Sequence, residues 1–304
     1  MKERRDQGVA LAVVGLALFV PVGWLVAHLP ARAGLWVGRR IGDLIWLLLA
    51  RRRAVTLENL GRAFGHERSA AELRDLGRRS FGHLGMNIVE GCVYFFRPPS
   101  VLLSRIDFAG VEHAEAAVAS AKGGGILVLA AHYGNWELLA ASHALSAYPL
   151  SVVVRPLDHP LMDRLVDRFR RRSGVELIGK RRALGEILDA LRRGRMVGIL
   201  LDQNASRGEG VFAPFFGVPA STSKGLALIS LRTGAPVLPI FIRRMEDGRH
   251  RVQADPVIEA PADGDVGAYT AAFNRCIETA IRRAPEQWFW MHNRWKTRPE
   301  PEAG

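Results

Sequence analysis

Between Arg105 and Asp202 short apolar runs alternate with stretches whose apolar residues return every three or four positions. The runs at 106–108, 126–130, 151–154, 175–177 and 196–201 read as short buried strands. The intervening stretches at 112–121, 136–147, 160–172 and 184–193 have the helical repeat. Such alternation predicts an α/β fold with a mixed, largely parallel central sheet flanked by helices. Further on, Ser221 or Thr222 is placed to cap a helix at 223–233 that Gly234 closes. Strands at 237–242 and 251–254, a loop rich in Pro and Asp, and a helix at 266–283 complete the pattern.

The N-terminal part is patterned differently. Residues 8–29 contain no Asp, Glu, Lys or Arg. At about 1.5 Å per residue that run is long enough for a bilayer core of about 30 Å. It is expected to anchor the chain to a membrane, with Pro21 available to kink it. A helix dipping into one leaflet is an alternative. So is a signal peptide, although the run exceeds a usual h-region and Arg32 lies inside the Ala31-Arg32-Ala33 cleavage pattern. Helix-like material continues over 35–64, with Arg51, Arg52 and Arg53 beside the apolar run 45–50. That cluster suits acidic headgroups, or is an ordinary solvated charge run. Ser69-Ala70-Ala71-Glu72 has the capping-box pattern and predicts a long helix reaching Phe96, stopped by Pro98 and Pro99.

Charge and cysteine usage narrow the partners. The 304-residue chain has a formal net charge of +12 and two cysteines, Cys92 and Cys276. Two cysteines give neither a disulfide framework nor a metal cluster, so no metal is expected. A basic surface suits phosphates, anionic lipids or an acidic protein. The arginines are scattered and no nucleic-acid-binding signature is present, so nucleic acid is not expected.

The candidate chemistry lies at the end of the run 126–130. His132 follows it, then a Tyr133-Gly134-Asn135 turn, with Asn135 as N-cap of a helix carrying Glu137 in its first turn. On one continuous helix a separation of five would turn the two side chains about 140° apart. With His132 on the turn and Glu137 in the helix they can converge. A carboxylate holding an imidazole in one tautomer leaves the other nitrogen free to take a proton from a hydroxyl. Asp202 also follows a strand, so it is expected at the same sheet edge, where ligands of α/β sheets collect. Phe212, Phe215 and Phe216 fall in a stretch after Asn204 that reads as a loop, and they either pack under the sheet, line an apolar site or touch the membrane. Trp288, Trp290 and Trp295, mixed with basic residues, suit either a headgroup-level surface or a packed C-terminal cap.

Several motifs occur in one order: Arg51-Arg52-Arg53 with Asn59-Leu60 and Ala63-Phe64, His132 through Glu137, Arg155-Pro156 with Pro160-Leu161, and Asp202-Gln203. They continue in Pro214-Phe215-Phe216-Gly217 with Pro219-Ala220 and Thr222, then Pro285 through Trp288, His292 and Arg294-Trp295-Lys296. On these the chain resembles, over nearly its whole length, the late acyltransferases of lipid A biosynthesis, the lauroyl/myristoyl type. They belong to the wider lysophospholipid-acyltransferase group. Gly65-His66 after Ala63-Phe64 departs from that family's usual Phe-Pro there.

The resemblance implies an enzyme of the bacterial inner membrane with its catalytic domain facing the cytoplasm. Residues 1–50 would be the anchor and interfacial helix, and 51–304 the acyltransferase domain. The enzyme would move a fatty acyl chain to a hydroxyl of a lipid-linked sugar. The donor would be acyl carrier protein or acyl-CoA, a co-substrate, and no cofactor is implied. His132 would be the general base, Glu137 its orienting partner and Asp202 a further acid; the family's site arginine matches Arg170 by spacing from Pro160-Leu161, with Arg164, Arg168, Arg171 and Arg172 on the same stretch as alternatives. Asn135, Arg155, Arg164, Gln203, Phe215, Phe216 and Thr222 would contact substrate. Actinobacterial relatives that acylate phosphatidylinositol mannosides tend to carry Asp at the Glu137 position, so Glu137 favours the lipid A type. Other acceptors, such as a lysophospholipid, an ornithine lipid or an inositol mannoside, are the alternatives, followed by a non-catalytic lipid-binding protein. No Gly-x-Ser-x-Gly elbow and no His-Glu-x-x-His is present, which disfavours an acyl-enzyme and a metal hydrolase.

Overall fold

Strand β2 (Ile126–Ala130) is buried along its whole length and is the middle strand of a seven-stranded sheet. The computed structural model describes residues 20–154, 167–168, 170–179 and 183–300. The other strands of the sheet are β1 (Ile106–Ala109), β3 (Leu150–Val154), β4 (Glu176–Gly179), β5 (Met196–Leu200), β8 (Val237–Arg244) and β9 (His250–Ala254). The order is β1-β9-β8-β2-β5-β3-β4, and every pair is parallel except β8–β9. Both faces of β2 are covered. Leu127 and Leu129 enter the main core, while Ile126 and Val128 join Ala117 and Leu238 on the other side. Two covered faces are why this strand is an unbroken apolar run.

Besides helical residues at 20–27, 167–168 and 170–172, the described helices are α1 (Ala31–Leu48), α2 (Ala50–Phe64), α3 (Ala70–Phe96), the single turn α4 (Ser100–Leu103), α5 (Val111–Ser120), α6 (Trp136–Ser142), α7 (Ala183–Arg192), α8 (Gly225–Thr233) and α9 (Val266–Arg283). The capping box forms as predicted: the Ser69 N–H donates to Glu72 Oε2 at 2.8 Å and the Glu72 N–H to Ser69 Oγ at 3.4 Å. Helix α1 packs directly on α3 because both are small at the crossing. A Cβ at Gly42 would overlap the Phe81 carbonyl, and one at Gly85 would overlap the Gly38 carbonyl. The outer face of α1 leaves Trp36, Leu44, Leu47 and Leu48 exposed.

Four expectations change. The helix expected over 35–64 is two helices broken at Leu49, where φ −95° and ψ 63° leave the α region. Arg53 seals the break by donating to the Trp46 carbonyl at 2.7 Å, and Arg52 donates to the Met291 carbonyl at 3.3 Å. Two of the three clustered arginines therefore bind backbone, which a plain solvated run would not do. The Phe-rich segment is not a loop but a hairpin, β6 (Gly210–Phe215) with β7 (Val218–Ser223). Its two turn residues, Phe216 and Gly217, have φ of 50° and 73°, as a primed hairpin turn requires. Ser221 and Thr222 lie in β7 and do not cap α8, whose N-cap position is Lys224. Helix α6 stops at Ser142, and a 3-10 turn, His143–Leu145, follows it.

Of the apolar run 8–29, residues 8–19 lie outside the described residues, as does most of the helix expected at 160–172. Among the described residues no helix is long and apolar enough to cross a membrane. The tryptophan tail is a packed cap: Trp288, Trp290 and Trp295 are all buried, and Phe215 stacks between Trp288 and Trp295.

Candidate active site

The register of the two central strands builds the site. Ala130 pairs with Leu200, so His132 and Asp202, each two residues beyond that pair, leave the sheet side by side. Asp202 Oδ1 accepts from His132 Nδ1 at 2.8 Å. Its Oδ2 accepts the His132 backbone N–H at 2.9 Å and the Trp288 indole N–H at 2.7 Å. Asp202 is 1% exposed and His132 18% exposed at the side chain. Burial pushes the Asp202 carboxyl up, but the His132 charge and the hydrogen bonds from His132 and Trp288 outweigh it and hold it below the usual range. With its Nδ1–H on Asp202, the imidazole has its lone pair on Nε2, where Gln203 Nε2 lies 3.3 Å away. The ring is packed edge-on against Trp136, with centroids 5.2 Å apart.

The carboxylate on the imidazole is thus Asp202, not Glu137. Glu137 turns to another group: its two oxygens accept from Arg170 Nε at 2.9 Å and Arg170 Nη2 at 2.6 Å, a bidentate pair. The strand register supplies His132 with a nearer acid than the first turn of α6 does. Among the described residues of that stretch, Arg170 is the arginine that binds Glu137. Its neighbour Arg172 instead binds the carbonyls of Tyr94 and Phe95 at the end of α3, both at 2.8 Å.

The turn between β2 and α6 is fixed from beneath. Gly134 has φ 61°, and a Cβ there would overlap the Ile242 carbonyl. Its carbonyl accepts from Asn87 at 2.7 Å and its N–H donates to the Gln287 carbonyl at 2.9 Å. That N–H is therefore engaged and is not an oxyanion donor. Asn135 caps α6 by accepting the Leu138 N–H at 3.1 Å, and its amide donates to the buried Glu90 at 2.7 Å. It is a scaffold residue and not a substrate contact. Glu90 also accepts from Arg244 Nη2 at 2.7 Å and bonds His250 Nε2 at 2.9 Å. Burial opposes the Glu90 charge, and the Arg244 and His250 charges overcome that and hold the carboxyl well below its usual range.

Gln203 lies in the site beside His132. Arg155 and Arg164 lie outside the described residues. Phe215 and Phe216 are buried in the core, against Trp288 and Trp290 respectively, so they do not line a substrate surface. Thr222 is fully buried, bonding Asn274 and taking a 2.5 Å hydrogen bond from Arg294 Nη2. Neither aromatic periodicity nor a hydroxyl in a cap-like string reveals such roles.

Three contributors escaped the sequence. Trp288 clamps Asp202. Arg294 is fully buried over the Phe215 ring at 4.9 Å, and burial lowers it to about 10. His292 accepts the Asn204 N–H at 3.0 Å, and burial lowers it to about 4, so it stays neutral. The clue available was their place in the Pro285–Lys296 string.

What this arrangement does chemically is to present one basic nitrogen, oriented by a buried acid, at the carboxyl end of a parallel sheet, with Glu137, paired to Arg170, in the first turn of the helix that follows. Comparison with known proteins accords with it. The family model described as "Bacterial lipid A biosynthesis acyltransferase" matches residues 2–297. The Lipid A biosynthesis palmitoleoyltransferase of Escherichia coli K12 is 32% identical over 283 residues, covering 92% of this chain and 90% of that protein. The Lipid A biosynthesis lauroyltransferase of the same organism is 31% identical over 286 residues, covering 93% and 92%. A Phosphatidylinositol mannoside acyltransferase of Mycobacterium tuberculosis H37Rv is 28% identical over 214 residues, covering 66% and 65%. With a match that spans nearly every residue and two relatives above 30% identity, the chain belongs to the bacterial lipid A biosynthesis acyltransferase family and is an acyltransferase.

Proposed function

We propose that the chain transfers a fatty acyl group from a thioester, on acyl carrier protein or coenzyme A, to a hydroxyl of a lipid A precursor, with His132 as the general base. The observation that carries this reading is the Nδ1–Asp202 bond, which leaves the lone pair of Nε2 at the partly open edge of the site. The acceptor hydroxyl displaces Gln203 from Nε2, gives up its proton there, and its oxygen attacks the thioester carbonyl. The tetrahedral intermediate collapses, the C–S bond breaks, and the thiol leaves with the proton from His132. Neither an acyl-enzyme nor a metal enters. Arg170, held flat by Glu137, supplies positive charge to the oxyanion or to a sugar phosphate; one such donor is worth about 3 kcal/mol.

In this reading residues 1–50 hold the chain on the cytoplasmic face of the bacterial inner membrane and 51–304 carry the chemistry. The exposed Trp36, Leu44, Leu47 and Leu48 of α1 rest among lipid tails, and the net positive charge faces acidic headgroups and the acidic carrier protein. Two relatives named for lipid A acyl transfer over nine-tenths of the chain favour that acceptor over an inositol mannoside. The test is a panel assay with a labelled acyl thioester and lipid A precursor, lysophospholipid and inositol-mannoside acceptors. Transfer to the lipid A precursor alone, abolished in His132→Ala, is the expected result. Near-normal turnover by His132→Ala, or preference for another acceptor, refutes the reading.

A further inference from the structure

A cavity of about 320 Å³ opens between the start of α1, the end of α3, α4 and the β8–β9 turn. It is separate from the His132 turn, none of whose residues lines it. Its walls are apolar, formed by Leu29, Leu35, Val89, Val93, Val101 and Leu102. At one end it is polar. His250, 1% exposed, lines it together with Glu90, which is ion-paired with Arg244, and with Arg105, whose carbonyl accepts the His250 backbone N–H at 2.9 Å. Arg97 lines it as well.

Three polar groups here lack partners. His250 Nε2 is bonded to Glu90, but His250 Nδ1 is buried and bonds nothing. Among the described residues neither the Arg97 nor the Arg105 guanidinium has a hydrogen bond or ion pair, whereas Glu90 is already balanced by Arg244. Leaving a buried nitrogen unbonded costs about 1–3 kcal/mol. With Arg97 and Arg105 unpaired on the same lining and Glu90 already balanced by Arg244, the polar part of the lining favours negative charge. The volume falls at the lower end of the range for small-molecule sites, about 300 Å³ upward.

We propose that this cavity binds a fatty carboxylate, with the carboxylate held by Arg105 and Arg97 at the end where His250 lies and the chain along the valine and leucine walls. A neutral chain leaves the guanidinium groups unpaired, and an inorganic anion leaves the walls empty, so only an amphiphile answers both ends. The proposal is independent of the acceptor assigned above, because it concerns binding and not transfer. Occupancy also bears on the active turn, since Glu90 links His250 to Asn135.

The experiment titrates the fluorescent fatty acid cis-parinaric acid into the full-length protein held in amphipol, then competes it with lauric acid or 1-dodecanol. Lauric acid is expected to displace the probe at least ten-fold more effectively than dodecanol. The double variant Arg97→Ala/Arg105→Ala is expected to weaken binding about ten- to hundred-fold, the worth of one or two charge-assisted hydrogen bonds. Val101→Trp, which fills the space without altering charge, abolishes binding, and His132→Ala leaves it intact. Equal displacement by dodecanol, on the unmodified protein, overturns the proposal by showing a merely apolar slot. So does unchanged binding in both cavity variants, or loss of binding in His132→Ala, which places the carboxylate at the active site instead.

Discussion

Replacing Asp202 by Asn tests the heart of the mechanism with little disturbance of shape. Asp202 Oδ2 receives two N–H donors, the His132 backbone at 2.9 Å and Trp288 at 2.7 Å. The asparagine carbonyl must therefore take that position, because an NH₂ group there would face two donors. Its NH₂ then stands where Oδ1 stood, 2.8 Å from His132 Nδ1, and donates to it. The imidazole is forced into the Nε2–H tautomer, and the nitrogen that should accept a proton already carries one. The analogous change in a Ser-His-Asp triad lowers kcat about 10,000-fold. We expect a fall of about 1,000- to 10,000-fold here, equivalent to about 4–5.5 kcal/mol of barrier. KM for the acyl thioester stays nearly constant, since no binding contact is removed. Single-turnover transfer of a labelled acyl group gives the rate, and ¹⁵N shifts of His132 give the tautomer. An Asp202→Asn enzyme with more than a tenth of the wild-type kcat, or one whose His132 keeps its proton on Nδ1, refutes the argument.

Glu137→Gln and Arg170→Lys should each reduce kcat while the double variant is little worse than either; a double-mutant cycle showing no coupling above about 0.5 kcal/mol means the pair does not act as a unit. Gly134→Ala should lower the unfolding midpoint by several degrees, since both φ 61° and the Ile242 carbonyl oppose a Cβ, and an unchanged midpoint in calorimetry contradicts this. Burial, with the neighbouring Arg244 charge, lowers His83 to about 3, and burial lowers His292 to about 4. Both are depressed below the ordinary histidine value, so the unfolded chain takes up protons first and stability falls as pH drops from about 6.5 towards 4. The depressed Asp202 carboxyl extends the loss below about pH 4, in the same direction. Thermal melts between pH 4 and 8 should show that slope, and His83→Gln should flatten it.

The layered α/β plan was legible because it rests on local signals. The apolar run 126–130, the capping box at Ser69 and Glu72, and the helical repeat of 266–283 each specify their element without help from distant residues. The hairpin at Gly210–Ser223 was not, because Pro214 and Pro219 argue against pairing strands until the turn at Phe216 and Gly217 is known. At the site, sequence placed His132, Asp202, Glu137 and Arg170 together but joined them wrongly. Chain proximity suggested His132 with Glu137, whereas pairing across β2 and β5 joins residues seventy apart. Such a register is set by the packing of whole strands. Phe215, Phe216, Thr222 and Asn135 belong to motifs of the same family signature, yet they build the frame around the chemistry; a motif alone does not distinguish a residue that touches substrate from one that holds the fold.

The crossing of α1 and α3 leaves no side-chain cushion between the two backbones at Gly38, Gly42 and Gly85. Soft packing absorbs small displacements by rotamer changes, but main chain against main chain cannot. A tilt of α1 is therefore transmitted undamped to α3, and α3 holds Asn87 and Glu90, the residues gripping Gly134 and Asn135. The outermost helix and the imidazole turn thus behave as two ends of one stiff lever. A bulky residue wedged into that fulcrum would slow turnover from the far side of the molecule, with every group around His132 chemically intact.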